Sequence, residues 1–276
     1  MDGGNAQALD LFILNITLTL RCTLKCKLCA ADVIRYDKAP HFTKEFIFNV
    51  IDRCFEIVDR VERFQLSGGE PLLHKDFNAI VQKALSYSER FGNIGIFTNG
   101  TIAPGQDLID QILSFGHRDK FKFYISHYGN ISNKADECIE LLKAAGIPYE
   151  VKIYHGDNQH FDGWIDYGNY KYQNYSEDSL IDMFKNCAVN RIGGIWSCRY
   201  GELHRCTRSA SGMDLKMIPR VKDDYISLFE NIPIERQKEK LRRIMSKQYL
   251  TACKYCSGDF GTGDKQKRYP AAEQIK

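Results

Sequence analysis

The sequence lacks the features that insert a chain into a membrane or mark it for export. No apolar run is long enough to span a bilayer, and residues 9–20, the one signal-peptide candidate, have no basic start. The same residues carry Asp10 and Asn15 and alternate apolar with polar side chains, a pattern that predicts a β-strand. We therefore expect a cytoplasmic protein that does not act at a membrane.

The chain also lacks low-complexity segments, internal repeats and an excess of charge of one sign. Its 276 residues include 38 lysines and arginines and 35 aspartates and glutamates, which gives a net charge of +3. The longest basic cluster, residues 238–243, is interrupted by Glu239 and Leu241, as on a solvated helix face. This composition suits a globular protein with a sizeable core and predicts no nucleic-acid partner.

Cysteine, by contrast, is plentiful. Ten cysteines without an export signal indicate a reducing compartment, where thiols serve metals rather than disulfides. Three of them, Cys22, Cys26 and Cys29, form a Cys-x3-Cys-x2-Cys array directly after the first predicted strand. Three thiolates are one too few for the closed four-cysteine site of structural zinc or an electron-transfer cluster. The array therefore predicts a metal cluster with one corner open to a ligand.

Apolar β-type segments alternate with amphipathic helical segments over residues 11–153. The predicted strands are residues 11–20, 64–66, 94–98, 121–126 and 149–153, and the predicted helices are residues 43–60, 76–90, 106–115 and 132–145. Such alternation predicts an α/β fold with a parallel sheet. Five repeats, with a sixth uncertain, suit an open, partial (β/α)6 TIM-like barrel.

Each predicted strand is followed by a polar segment, and most of these segments contain glycine. The cysteine array follows the first strand, and the later segments are residues 67–71, 98–101, 126–129 and 154–156. Sheets and barrels of the α/β class place their active sites at the carboxyl ends of the strands. The five segments therefore predict a single site.

The remainder of the chain differs in character. Residues 156–180 are aromatic and polar without periodicity, and we expect them to cover the substrate and to link two domains. Further elements are predicted at residues 177–186 (helix), 195–206 (a hairpin that turns at Gly201) and 234–248 (helix). We therefore divide the chain into a barrel, residues 1–180, and a small α+β domain, residues 181–276.

Together with the array, Gly68-Gly69-Glu70-Pro71 and Thr98-Asn99-Gly100 resemble the radical S-adenosylmethionine (SAM) superfamily, over the N-terminal two-thirds of the chain. The resemblance implies that the three cysteines bind a 4Fe–4S cluster whose free iron is chelated by the amino and carboxylate groups of SAM. It also implies six cofactor-binding residues: Gly68, Gly69 and Glu70 for the SAM amino group, Ser126 and Asn99 for the ribose, and Leu28, where the family usually has an aromatic residue, near the adenine.

The C-terminal part resembles the twitch module, the short relative of the SPASM domain. Cys187, Gly201 and Cys206 match its pattern of a cysteine, a spacer and Gly-x4-Cys, and Cys253 and Cys256 match its distal pair. The resemblance implies that the four cysteines hold an auxiliary 4Fe–4S cluster, with a structural zinc knuckle as the alternative. A fifth cysteine, Cys198, is open to three interpretations: packing, cluster ligation or hydrogen-atom donation.

Other side chains allow either a functional or a structural interpretation. Tyr128, His155 and Arg191 are candidates for catalysis, as a pocket wall, a strand-end histidine and a partner for an acidic substrate group. Packing, surface hydrogen bonding and pairing with a nearby carboxylate are the corresponding structural roles. Cys54 and Cys138 fall within predicted amphipathic helices, so we expect them in the core.

The resemblance implies that the reduced cluster cleaves SAM to a 5′-deoxyadenosyl radical, which abstracts a hydrogen atom from the substrate. We expect an external reductant such as flavodoxin or ferredoxin. A four-thiolate auxiliary cluster has no open iron, so it suits electron transfer rather than substrate binding. This favours a dehydrogenase acting on a small hydroxylated molecule (a sugar, aminocyclitol or sugar nucleotide), as in the twitch aminoglycoside dehydrogenases that the chain resembles.

Three alternatives stay open. An epimerase would use a thiol such as Cys198 to return a hydrogen atom to the substrate. A peptide-modifying enzyme is less favoured, because only residues 1–10 precede the first predicted strand and leave no room for a leader-peptide domain. A non-catalytic Fe–S or zinc module is disfavoured by Gly-Gly-Glu-Pro, since a pure metal scaffold has no use for a SAM-chelating motif.

Overall fold

The computed structural model describes residues 8–160, 164–191, 193–258 and 268–275. Within these ranges the strands are β1 (Asp10–Thr19), β2 (Arg60–Gly68), β3 (Phe91–Thr98), β4 (Phe121–His127), β5 (Tyr149–Ile153), β6 (Trp164–Ile165), β7 (Ile195–Arg199), β8 (Glu202–His204), β9 (Tyr225–Ser227) and β10 (Arg268–Tyr269). The helices are α1 (Lys44–Ile57), α2 (Phe77–Leu85), α3 (Gln106–Ser114), α4 (Ala135–Ala145), α5 (Glu177–Asn186), α6 (Ala188–Arg191), α7 (Thr207–Asp214) and α8 (Ile234–Met245). Residues 161–163 of the predicted cover lie outside the described residues.

Eight of these strands form one mostly parallel sheet in the order β5-β4-β3-β2-β1-β7-β8-β9. Strands β1 to β5 and β7 run in one direction, whereas β8 is antiparallel to both β7 and β9. The α/β class is confirmed, and the open sheet is consistent with a partial barrel. Across the described ranges, every helix is too short or too polar to cross a lipid bilayer.

Several helices begin or end where the sequence supplies a capping residue. The Thr43 side chain accepts a hydrogen bond from the Phe46 N–H at the start of α1, and Ser176 does the same for the Ser179 N–H at the start of α5. Helix α4 ends at Gly146, whose left-handed φ of 63° suits glycine. These local signals explain why the predicted ends lie close to the observed ones.

One hydrophobic core lies between the sheet and a layer of helices. Leu14, Ile16 and Leu18 of β1 pack into this core, and the helices cover it in the order α4-α3-α2-α1-α8. Because side chains alternate along a strand, Asn15 and Thr17 point to the opposite face. There the Ser67 hydroxyl donates to Asn15 Oδ1 at 2.5 Å. The face opposite the core is therefore polar around Asn15 and Ser67 and leads to the carboxyl edge of the sheet, while α7 covers its β7–β8 end.

The sixth parallel strand comes from the C-terminal segment. The predicted hairpin is present, and positive φ angles at Tyr200 (54°) and Gly201 (72°) shape its two-residue turn. Its strand β7, however, pairs with β1, so the sheet continues past the free edge of β1. Trp196 and Leu203 join the same core as α1. The two segments thus share one sheet and one core, and the division at residue 180 stays a prediction about function.

Candidate active site

The three cysteines of the array lie together in the loop that follows β1. None of the ten cysteines, all of which are in the described part of the chain, forms a disulfide. Burial raises the pKa of all three thiols, to about 12 for Cys26, and the charge on a neighbouring sulfur raises the pKa of Cys22 and of Cys26 further. Cys22 and Cys29 pack against the small cluster of Leu24, Cys26 and Ala272, so the three cysteines lie together.

Hydrogen-bond donors point at each of these sulfurs. Cys22 Sγ accepts from the Leu24 N–H at 3.4 Å and from Asn99 Nδ2 at 3.5 Å, and Cys26 Sγ accepts from Gln274 Nε2 at 3.4 Å. Cys29 accepts from the backbone N–H groups of Ala31 and Val33. Such donors stabilise thiolates and cluster sulfurs. The loop therefore fits an anionic iron–sulfur cluster with three protein ligands.

Gly68 and Gly69 allow the end of β2 to press against the cysteine loop. The Gly69 N–H donates to Thr19 O at 2.8 Å, and the Glu70 N–H donates to Arg21 O at 3.0 Å. A Cβ atom on Gly68 would lie 1.9 Å from Thr19 O, and one on Gly69 would lie 2.2 Å from Arg21 O. Both obstacles are backbone atoms, so only glycine fits at either position.

Glu70 connects the ends of β2 and β3 through hydrogen bonds. Its carboxylate is fully buried, and it accepts hydrogen bonds from Thr98 Oγ1 (3.1 Å), the Asn99 N–H (2.8 Å) and the Leu72 N–H (3.2 Å). Burial raises the pKa of Glu70 to about 7, against the lowering effect of these bonds. Glu70 thus positions Asn99, whose amide reaches Cys22 and Thr23. Direct contact of this motif with the SAM amino group stays a prediction.

Aromatic side chains surround the loop beside Cys26. Tyr128 and Trp164 pack against the small cluster of Leu24, Cys26 and Ala272, and the Tyr128 ring centroid lies 5.5 Å from that of Tyr154 and 6.0 Å from that of Trp164. The Tyr128 hydroxyl hydrogen-bonds with the Ser126 side chain. Burial raises the pKa of Tyr128, so its phenol is protonated at neutral pH and can orient a ligand but not accept a proton.

Residues 164–170 of the predicted cover lie against the cysteine loop. Tyr170 Oη donates to Asp32 Oδ2 at 2.5 Å, and the Arg208 guanidinium carbon lies 3.8 Å from the centroid of the Tyr170 ring. Asp32 and Tyr170 both have positive φ, of 55° and 63°, a strain that persists only where surrounding contacts hold it. Leu28 and Cys29 line a small cavity together with Asp32, Arg208 and residues 165–168.

The four cysteines of the C-terminal set line a second cavity, together with apolar side chains such as Met183 and Leu250. Its empty volume is about 430 Å³, part of which is open to solvent. Burial raises the pKa of Cys253, and the charges of Cys206, Cys256 and Cys187 raise it further. Nowhere in the described residues do three His, Cys, Asp or Glu side chains gather closely enough to hold one metal ion. The auxiliary 4Fe–4S cluster and its structural-zinc alternative both stay predictions for these four cysteines.

Local structure positions Cys206 and Cys253. Cys206 is the N-cap residue of α7, where the nearby backbone N–H groups of Ser209 and Arg208 counter the rise that burial causes in its pKa. Arg205 donates to the carbonyls of Ile244 and Met245 at the end of α8. The buried Asp224 accepts from the Thr251 N–H at 2.7 Å and so fixes the 3-10 helix Thr251–Tyr255, which carries Cys253.

The four candidates for catalysis have different surroundings. Cys198 is 1% exposed, and its thiol contacts Cys54 of α1 on the helix side of the sheet. This position favours packing among its three interpretations. His155 is exposed beside His127, with ring centroids 4.8 Å apart, and Arg191 is exposed at the end of α6. Tyr128 packs beside the cysteine loop.

Sequence reasoning missed Arg199, Asp32 and Gln274. Arg199 is 3% exposed at the end of β7, and it donates to Tyr36 Oη at 3.0 Å and to Ala31 O at 3.4 Å, close to Cys29. It reaches the site only because β7 pairs with β1. No local pattern in the sequence indicates that pairing, so no signal marked Arg199.

Comparison with protein families gives one match that spans the cysteine loop. The model described as the radical SAM superfamily matches residues 16–167, more than half of the chain. Among individual proteins, a "Probable GTP 3′,8-cyclase" from Methanocella arvoryzae is 28% identical over 166 residues, 56% of this chain and 52% of that protein. The chain thus matches about half the length of that relative.

Two solved structures share the fold. One, described as native anSMEcpe with bound AdoMet, has a TM-score of 0.53 at 14% identity and covers 89% of this chain and 88% of its own. The other, BtrN in complex with AdoMet and 2-DOIA, has a TM-score of 0.50 at 16% identity and covers 94% and 98%. At these identities, the likeness concerns the fold alone.

Proposed function

The chain belongs to the radical SAM superfamily, and from this membership we propose that Cys22, Cys26 and Cys29 hold a 4Fe–4S cluster that presents its open iron to SAM. The observation that carries the proposal is the grouping of three sulfurs, each with N–H donors, against the backbone of Gly68 and Gly69. When bound and reduced, such a cluster supplies the electron that cleaves SAM to methionine and a 5′-deoxyadenosyl radical.

The reaction that we propose is oxidation of a carbinol carbon in a small hydroxylated molecule. The substrate loses a hydrogen atom to the 5′-deoxyadenosyl radical, a proton to a base and an electron to the auxiliary cluster, and its C–OH becomes C=O. Support comes from the second cavity, where Cys187, Cys206, Cys253 and Cys256 would complete the ligand set of a cluster without an open iron. An external one-electron reductant, such as flavodoxin or ferredoxin, starts each cycle.

The surroundings of the loop favour a small polar substrate. Tyr128, Tyr154 and Trp164 offer aromatic faces beside the cluster loop, and the adjoining face of the sheet carries Asn15 and Ser67. Aromatic faces with nearby amide and hydroxyl groups suit a sugar or cyclitol ring. The neighbour BtrN was solved with AdoMet and 2-DOIA, and this chain covers 98% of it.

A peptide substrate is the second candidate. It is favoured by the neighbour anSMEcpe, which was also solved with AdoMet and the Cp18Cys peptide, at a TM-score of 0.51. The two candidates differ in the room they need over the cysteine loop. Tyr170 and the strand pair β6–β10 occupy part of that space, which favours the smaller substrate.

Anaerobically reconstituted protein should cleave SAM when a strong reductant is present. We expect 5′-deoxyadenosine to accumulate with dithionite and not without it, and we expect about eight irons per chain. Liquid chromatography for the nucleoside and metal analysis for iron and zinc make both measurements. Zinc in place of iron, or intact SAM after reduction, would overturn the proposal.

Replacing Cys198 by alanine should leave this cleavage unchanged. The thiol packs against Cys54 in the core, so we expect only a loss of stability of about 1 kcal/mol. Incubation in D2O with a panel of sugars and aminocyclitols provides the second measurement. Solvent deuterium on a product carbon that disappears in the Cys198→Ala variant would instead establish an epimerase.

A further inference from the structure

Residues 268–275, here called the strap, run antiparallel to the three-cysteine loop. The Lys27 N–H donates to Glu273 O at 2.8 Å, and the Ile275 N–H donates to Lys25 O at 2.9 Å, on either side of the paired residues Cys26 and Gln274. Ala272 is fully buried against Leu24 and Cys26. At the other end of the strap, β10 pairs with β6 of the cover. The strap therefore joins the cover to the cluster loop.

The hydrogen bonds of Gln274 fix the orientation of its amide. Oε1 accepts from the Lys25 N–H at 2.7 Å, and Nε2 donates to Ala272 O at 2.6 Å and to Cys26 Sγ at 3.4 Å. The reversed amide would place its oxygen against a carbonyl oxygen and its NH2 group against an N–H. The N–H of Gln274 therefore points at the sulfur of Cys26.

The source of this donor differs from that of the other two cysteines. Cys22 and Cys29 receive backbone N–H groups from within their own loop, from Leu24 and from Ala31 and Val33, and Cys22 also accepts from the Asn99 amide. The donor described for Cys26 is a side chain 248 positions away in the sequence. Docking of the strap thus decides whether the sulfur of Cys26 has this partner.

We propose that Gln274 is a positioning residue that raises the reduction potential of the SAM cluster through its N–H···S bond to Cys26. The inference rests on the proposed function, because it requires a cluster on Cys22, Cys26 and Cys29. Reduction adds negative charge to the cluster, and a hydrogen bond to a ligating sulfur stabilises the more negative state. A docked strap would therefore make the cluster easier to reduce.

The test is an EPR-monitored redox titration of the reconstituted holoenzyme, in which perturbation by SAM identifies the signal of this cluster. In Gln274→Leu and Gln274→Glu we expect a more negative midpoint. The ratio of reduced to oxidised cluster at a fixed applied potential should fall by about tenfold, which corresponds to 59 mV for one electron. Because Gln274 is exposed, neither replacement disturbs the core. Gln274→Leu adds no charge beside Cys26, so its midpoint reports the loss of the N–H···S bond.

The matched control is Glu273→Gln, on the same strap. It removes an exposed ion pair with Lys27 (3.4 Å) and leaves the Cys26 sulfur untouched, so its midpoint should equal that of the wild type. An unchanged midpoint in Gln274→Leu would overturn the inference while leaving the proposed function intact. A wild-type protein without a SAM-perturbed signal would instead overturn the proposed function.

Discussion

Replacing Gly69 by alanine should reduce SAM cleavage by on the order of 100-fold or more. The new Cβ would lie 2.2 Å from Arg21 O, 2.7 Å from Arg21 C and 2.9 Å from Cys22 Cβ. None of these atoms is the end of a flexible side chain, so the clash can be relieved only by moving the cysteine loop away from β2. Such a shift would separate Cys22 from the amide of Asn99 and displace the open corner of the cluster from the SAM site.

Gly105→Ala is the matched control for this substitution. Gly105 precedes α3 with a φ of −68°, and an added Cβ there would meet no atom within 4 Å. We expect wild-type formation of 5′-deoxyadenosine from this variant and a wild-type circular dichroism spectrum from both. Gly69→Ala protein that cleaves SAM as fast as Gly105→Ala would show that the close approach of β2 to the loop is not required.

Local patterns were sufficient for most of the barrel elements. The predicted strand at residues 149–153 is β5, and the predicted helix at residues 177–186 is α5. Both predictions rest on local signals: the strand–helix alternation of apolar patterns along the chain and the capping residue Ser176. The grouping of the cysteine array with Gly68 and Gly69 was predicted for a related reason. Parallel strands bring their carboxyl ends to one edge of a sheet, so the segments that follow them meet.

Strand pairings between distant segments could not be predicted from the sequence. Cys198 lies opposite Ile16 in the β1–β7 register, and a shift of one residue would turn its thiol from the core to the polar face. Its role was therefore undecidable without the register. The strap poses the same difficulty, since nothing near Gln274 in the sequence indicates that it pairs with Cys26.

The role of Glu70 shows a different limit. The motif predicted the position of Glu70 at the end of β2. It did not predict that the carboxylate accepts hydrogen bonds from the Thr98 hydroxyl and from the N–H groups of Asn99 and Leu72. A motif gives the position of a side chain along the chain and not the direction in which it points. The carboxylate connects two strand ends because the whole fold buries it there.

A short series of side-chain contacts connects the two cysteine sets. Asp32, three residues after Cys29, accepts from Tyr170, and Tyr170 stacks under Arg208, two residues after Cys206. Tyr170 of the cover is thus held between the segments that carry the two cysteine sets. The proposed function assigns radical generation to one set and electron acceptance to the other, and the two roles can be tested separately.

The double substitution Cys253→Ala and Cys256→Ala should abolish product formation while SAM cleavage continues. Removing two of four thiolates leaves the auxiliary cluster without a complete ligand set, so iron should fall from about eight to about four per chain. Asp224 still fixes the 3-10 helix that carries Cys253 and ends before Cys256, so the surrounding backbone should be kept. Iron analysis, EPR and parallel assays of 5′-deoxyadenosine and oxidised substrate make the measurement.

Cys138→Ala is the control for this double variant. Cys138 is a buried core cysteine, and the hydrogen bond described for its thiol goes to the Ile102 carbonyl. It should keep both clusters and both activities. If the double variant bound full iron and still oxidised substrate, the four cysteines could not be the electron acceptor. If it lost SAM cleavage as well, the second cavity would have to support the radical-generating site itself, and the proposed separation of roles between the two cysteine sets would be wrong.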